Sequence, residues 1–177
     1  MRNFVLNLFV MEDNRQLEHE EMNRERKTFP VAVLTDGVRL AKNIGSIFRI
    51  CEAFGVSKLY IHGLDEKLPN RKFTRVARST EKILPYGVIE DVKSFLEEVK
   101  KEFRVVAIEI TGNSTKLQDY DFKTNNKCIF VVGAETTGIS QEVLDLCDDF
   151  VHIDMFGRNS SMNVSQALSI TLYEYTR

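Results

Sequence analysis

The chain has 177 residues, 43% of them hydrophobic and 28% charged, with a formal net charge of −2; this suits one domain around a single core, and the charge neither requires nor excludes a polyanionic partner. No apolar run reaches the length of a membrane span. Cys51, Cys128 and Cys147 are widely spaced in apolar segments, and His19, His62 and His152 lie far apart, so buried free thiols in a reducing cytoplasm are expected and nothing supports a disulfide framework or a metal site.

The start, MRNFVLNLFVMEDN, runs from a short apolar stretch into acids with no small-residue cleavage site, and reads as structure rather than a signal peptide. Residues 1–28 are expected to form an N-terminal helical arm, with the domain proper over 29–177. Pro30 opens PVAVLTDG, a short apolar run ending in Asp-Gly that predicts a buried strand. In AKNIGSIFRICEAFG, Ile44, Ile47, Phe48, Cys51 and Phe54 recur at helical spacing, and Gly55 is placed to end that helix. VSKLYIHG predicts a second strand. The stretch 63–90 reads as the longest irregular region; its part 70–82 carries Arg71, Lys72, Arg75, Arg78 and Lys82 against Glu81 alone. Such a cluster is either a phosphate-contacting patch or a solvated loop face.

A helix is predicted over 91–103, with Phe95, Leu96, Val99 and Phe103 on one side. Strands follow at 104–110 and 127–132, then a helix over about 139–147, a short strand at 150–153, and a last helix from near Ser161 or Met162. Apolar strands alternating with helices imply a mostly parallel sheet flanked by helices, an α/β fold.

Three segments hold polar residues where chemistry could occur. In GRNSSMNVS, Gly157 permits a turn or close approach, and Ser160 or Ser161 can cap the last helix. Asn163 is then expected in the first turn, its amide pointing out of the helix mouth. A well-capped helix would account for the segment. The last helix, however, is apolar on two sides: Val164, Ala167, Leu168, Thr171 and Tyr175 on one, Met162, Ile170 and Tyr173 on the other. Both sides must then be covered, within the domain or by a partner subunit. The loop VGAETTGIS follows a strand, where ligands of open α/β sheets bind. Its two glycines, Gly133 and Gly138, flank Glu135, and it matches neither the P-loop nor the Rossmann pattern. In NIGSIFR, Arg49 is expected to project away from the apolar face, on the side of Gly45 and Ala53, whose small size is expected to leave room beside it.

Together NIGSIFRICEAFGV, FVVGAETTGIS and IDMFGRNSSMNVSQALSITLYE resemble, in order and spacing, the three motifs of the SpoU/TrmH-type SPOUT RNA 2′-O-ribose methyltransferases. The resemblance covers roughly residues 30–177. It implies a parallel α/β domain whose C-terminal segment threads a loop as a trefoil knot, and a homodimer joined through the knot region and last helix. It implies S-adenosyl-L-methionine as methyl donor, held largely by backbone groups in a cleft including Ile108, Gly133, Ile153 and Met162. It implies methyl transfer to a ribose 2′-hydroxyl of tRNA or rRNA. Arg49, Asn43, Glu135, Ser161 and Asn163 are the catalytic set that it nominates. A guanidinium stays protonated in proteins, so Arg49 is expected to clamp a phosphate if it does not act as base. Two departures stand out: Asp154 replaces a common Pro, and Met162 a usual Leu. The absence of the accessory RNA-binding domain and C-terminal extension of some members favours tRNA slightly over rRNA. The competing reading is a non-catalytic RNA-binding module on the same knotted dimer; base rather than ribose methylation fits the motifs less well.

Overall fold

The computed structural model describes residues 25–64, 70–124 and 126–177. Most of the expected N-terminal arm, residues 1–24, lies outside them. Residues 25–28 are irregular, and Phe29 is anchored by its amide donating to Gly55 O at 2.8 Å.

Strand β1 (Val31–Asp36) is buried along its whole length, as a central parallel strand covered on both faces must be. Helix α1 (Ala41–Ala53) follows with the expected stripe of Ile44, Ile47, Phe48 and Cys51 buried, and the chain leaves it through Gly55 at φ +64, next to the Lys27 carbonyl. Strand β2 (Lys58–His62) comes next.

Residues 70–90 of the region expected to be irregular are instead largely structured. They hold helix α2 (Arg71–Ala77), a 3-10 turn at Thr80–Lys82 and strand β3 (Tyr86–Ile89). Asn70 caps α2 through its side chain, which accepts from Phe73 N at 3.0 Å, and Phe73 and Ala77 are its buried residues. Helix α3 (Val92–Val99) is shorter than predicted, capped by Asp91. Strand β4 (Arg104–Ile108), the two-residue β5 (Thr115–Lys116), β6 (Cys128–Gly133), the single-turn α4 (Gln141–Leu144), β7 (Asp149–His152) and α5 (Val164–Thr176) complete the chain.

The seven strands of the described residues are all parallel, in the order β3-β2-β1-β6-β4-β7-β5. Alternation along the strands divides the core in two. Val31, Val33, Val106, Phe130 and Val132 pack with α1, α2 and α5 on one face, while Ala32, Leu34, Val105, Ala107, Ile129 and Val131 pack with α3 and α4 on the other. β5 belongs to the connection from β4 to β6, yet it pairs with the outer edge of β7. β7 is thus held between β4 and that connection, and the chain passes from α4 on one face to α5 on the other. That strand order is compatible with the knot that the resemblance implies.

An edge-to-face cluster fixes the end of α5: Tyr175 meets Phe122 at 5.6 Å, Phe130 at 5.7 Å and Phe29 at 6.2 Å. Each such pair is worth roughly 0.5–1.5 kcal/mol beyond the area it buries. None of the three cysteines is in a disulfide among the described residues; burial raises the Cys51 thiol and pushes those of Cys128 and Cys147 up to about 12. Among the described residues no helix is long and apolar enough to cross a membrane.

Candidate functional site

Parallel strands deliver their C-terminal ends to one edge of the sheet, and loops leaving that edge form ligand clefts. Here the ends of β4, β6 and β7 and the start of α5 enclose a cleft of about 820 Å³, including its open mouth. Ile108, Val132, Ile153, Met162, Val164 and Ala167 give it apolar walls. Gly133 must be glycine: a Cβ there would collide with the backbone of Gly138 and Ile139. The reason is the tight return of the loop, in which Ala134 N donates to Gly138 O at 3.1 Å and Gly138 N to Ala134 O at 2.9 Å.

Two polar groups on the walls escaped the sequence reading. Glu109 accepts from Ile110 N at 3.0 Å and from Ile139 N at 3.4 Å, so its carboxylate holds the loop and faces the cleft. His152 lines the cleft, and its Nδ1 is buried with no hydrogen-bond partner among the described residues. Buried polar atoms are normally satisfied, so the orphan fits a site completed by a ligand. Apolar walls with a few polar groups suit an adenosine and a methionyl chain, and the residues present fit the expected cofactor.

At the rim a hydrogen-bond chain joins three segments distant in sequence. Asn43, 6% exposed on the first turn of α1, donates from Nδ2 to Glu135 Oε1. Its Oδ1 accepts from Asn163 Nδ2 at 3.2 Å. Asn163 Oδ1 in turn accepts from Ser165 N at 2.9 Å and from Ser165 Oγ at 2.6 Å. Asn163 is therefore the cap of α5, not a first-turn residue, and neither Ser160 nor Ser161 caps it. The helix starts three residues past Ser161 because Asn163 satisfies α5 and Asn43 together. Ser161 lines the cleft with its hydroxyl unengaged among the described residues.

Asp36, buried at the end of β1, braces the same loop from behind. It accepts from Ser140 N at 2.7 Å and pairs with His62 Nδ1 at 2.8 Å. Asp154, which stands where the resembled motif has Pro, pairs with Lys116 at 3.0 Å, and that pairing holds its carboxyl below the usual value. Its charge is spent on the threaded connection and does not line the cleft.

The structure thus brings Ile108, Gly133, Ile153, Met162, Glu135 and Ser161 to one cleft, with Asn43 and Asn163 at its rim. Arg49 is not brought there. It is exposed on α1, six residues beyond Asn43 and so about 9 Å along the helix axis. The room expected beside Gly45 is filled by α2, since a Cβ on Gly45 would lie 2.8 Å from Val76 Cβ.

Comparison with known proteins agrees with this geometry. The profile of the SpoU rRNA Methylase family matches residues 30–173. The tRNA (guanosine(18)-2'-O)-methyltransferase of Aquifex aeolicus is 28% identical over 173 residues, 98% of this chain and 80% of that protein. Among solved structures, the TrmH/SpoU tRNA modifying enzyme of A. aeolicus superposes with a TM-score of 0.75 at 28% identity, over 86% of this chain and 76% of that one. The SpoU methyltransferase AviRb of Streptomyces viridochromogenes, in complex with the cofactor AdoMet, gives 0.75 at 25% identity, over 90% of this chain and 63% of that one.

Proposed function

Since the chain belongs to the SpoU rRNA Methylase family, we propose that it transfers the methyl group of S-adenosylmethionine to a ribose 2′-hydroxyl of RNA, with tRNA the favoured substrate. The observation that carries the reading is the Asn43–Glu135–Asn163 chain at the rim of an apolar cleft. The tRNA preference rests on the A. aeolicus relative, which spans nearly this whole chain.

The cofactor supplies a methyl group on a sulfonium, an already activated leaving group. The protein's task is then alignment and removal of one proton. Ile108, Ile153 and Met162 hold the apolar parts of the cofactor, and Gly133 lets the backbone approach it. Glu109 and His152 Nδ1 offer polar partners. Glu135 and Asn163 fix both ends of the Asn43 amide, so that the amide cannot rotate when a ribose arrives. Ser161 presents a hydroxyl to the same ribose. Arg49 meets the RNA on the surface beside the cleft, where its planar fork clamps a phosphate and the phosphate oxygen takes up the 2′-hydroxyl proton.

The working form is a homodimer. The outward side of α5 leaves Ile170 42% and Tyr173 62% exposed, and a second copy is the partner proposed to cover them. Tyr173→Glu is expected to convert dimer to monomer in sedimentation velocity; a dimer that persists places the interface elsewhere.

The reaction is tested with methyl-labelled S-adenosylmethionine and separated, unmodified tRNA and rRNA, digested afterwards to nucleosides. Label in 2′-O-methylated nucleosides of tRNA is the expected result. Label confined to bases would overturn the ribose assignment. No label together with no cofactor binding by calorimetry would overturn the enzyme in favour of an RNA-binding module.

A further inference from the structure

We propose that the groove between α1 and α2 is the track on which the phosphates of the RNA substrate lie, an inference that rests on the methyltransferase reading above. Gly45 allows the two helices to approach: a Cβ there would lie 2.8 Å from Val76 Cβ and 3.2 Å from Ala77 N. Close to one turn further along α1, Phe48 meets Phe73 edge to face at 5.0 Å. Rising numbers on α1 meet falling numbers on α2, so the helices run antiparallel and Arg49 comes level with Lys72. Helical spacing puts Arg49 on the shoulder of α1 beside Gly45, and Lys72 on the shoulder of α2 beside Val76. Both are exposed, and Arg71, Arg75 and Arg78 carry the positive charge on across the outer face of α2.

These cations lack partners where others have them. Elsewhere Lys100 pairs with Asp148 at 2.9 Å, Arg104 with Asp149 at 2.6 Å and Lys127 with Glu102 at 2.8 Å. Among the described residues, Arg49, Arg71, Lys72, Arg75, Arg78 and Lys82 form no ion pair. Glu81, the one acid of 70–82, has a carboxylate oxygen buried away from solvent. Glu52, one turn past Arg49 on α1, pairs with none of them.

Such a surface does nothing for the fold. Like charges side by side repel, and among the described residues no carboxylate pairs with them to offset the cost. A polyanion changes the balance, because each phosphate neutralised releases counterions from the nucleic acid. The backbone at the end of α2 adds to the case. Arg78 and Ser79, at φ 50 and 66, are the only non-glycine residues at positive φ among the described residues, and such strain collects where function maintains it. In the same register Ala77 and Arg78 come level with Ile44 and Asn43, so a strand lying in the groove runs from Arg49 and Lys72 to the cleft rim. The track supplies affinity and position rather than sequence choice.

The test compares the full chain with two triple variants, Arg71→Ala/Lys72→Ala/Arg75→Ala on the track and Lys93→Ala/Lys101→Ala/Lys127→Ala away from it. Binding of unmodified total tRNA is measured from about 50 to 200 mM salt, and S-adenosylmethionine binding by calorimetry. With three phosphates no longer neutralised, the track variant is expected to lower the slope of log affinity against log salt by about 2 and to weaken binding roughly 100-fold. Its cofactor affinity stays at the wild-type value, and the control variant keeps the wild-type slope. A track variant with an unchanged slope, or a control that loses as much, overturns the inference while the methyltransferase reading stands. A wild-type chain that binds no RNA overturns both.

Discussion

Asn163 performs two tasks that substitution can separate. Its Oδ1 caps α5 by accepting from Ser165 N and Oγ, and its Nδ2 donates to Asn43 Oδ1. Asn163→Ala removes the cap, which costs roughly 1 kcal/mol. It also leaves the Oδ1 of a buried Asn43 unpaired, a further cost of about 1–3 kcal/mol. The sum, about 2–4 kcal/mol, corresponds to a fall in Tm of roughly 4–16 °C for a chain of this size. Asn163→Asp keeps an acceptor at the cap, where the positive end of α5 favours it. It cannot donate to Asn43, and it sets a second carboxylate near Glu135 on the same amide. The aspartate variant should therefore recover only the cap, about 1 kcal/mol of what alanine loses, while methyl transfer falls about 100-fold, the loss expected when a reacting group is misplaced by about 1 Å. Urea denaturation followed by circular dichroism, with initial rates at saturating cofactor, measures both. Wild-type turnover in the aspartate variant, or equal destabilisation by both substitutions, would refute the reasoning.

Three further outcomes are expected. Arg49→Ala abolishes methyl transfer with stability within about 0.5 kcal/mol of wild type, because the side chain is exposed and unpaired among the described residues; near-normal turnover would remove Arg49 from the mechanism. Gly133→Ala drives a Cβ into the backbone of Gly138 and Ile139, costing about 3 kcal/mol and weakening cofactor binding in calorimetry; a wild-type denaturation midpoint would show that the loop yields. Asp149 accepts from Arg104 at 2.6 and 2.9 Å and from the Tyr120 hydroxyl at 2.6 Å. Arg104 first, then Tyr120, holds its carboxyl below the usual 3.8 against the opposing effect of burial. A depressed folded-state value stabilises above the unfolded value and is lost as pH falls through the folded one. Asp149→Asn should therefore flatten the acid limb of the stability profile below 3.8, and an identical limb in both proteins would contradict the assignment.

The central strands were legible because a parallel strand covered on both faces is a continuous apolar run, as in VAVLTD and CIFVVG. Helix α1 was legible because its core stripe repeats over three turns. Helix α2 was not: it buries only Phe73 and Ala77 in a polar stretch, and what holds it is the approach to Gly45, a contact no local pattern announces. β5 is two residues long and exists only because β7 lies beside it.

The site shows the same division between local and long-range information. The run Asn159-Ser160-Ser161-Met162-Asn163 offers four residues able to cap a helix, and local chemistry does not choose among them. The choice falls to Asn163 because Asn43, 120 positions away, needs a donor there. Asp36 likewise acquires its role only when Ser140, 104 positions on, comes to its carboxylate. The bond to Asp36 follows from the pairing of β1 with β6, whereas the bond to Asn43 needs β7 in its place beside β4, since the chain leaving β7 carries the start of α5 to the rim. Ile153, Met155, Ser161 and Met162, which wall the cleft, belong to the segment that leaves β7, so the cleft is complete only when that segment is in place.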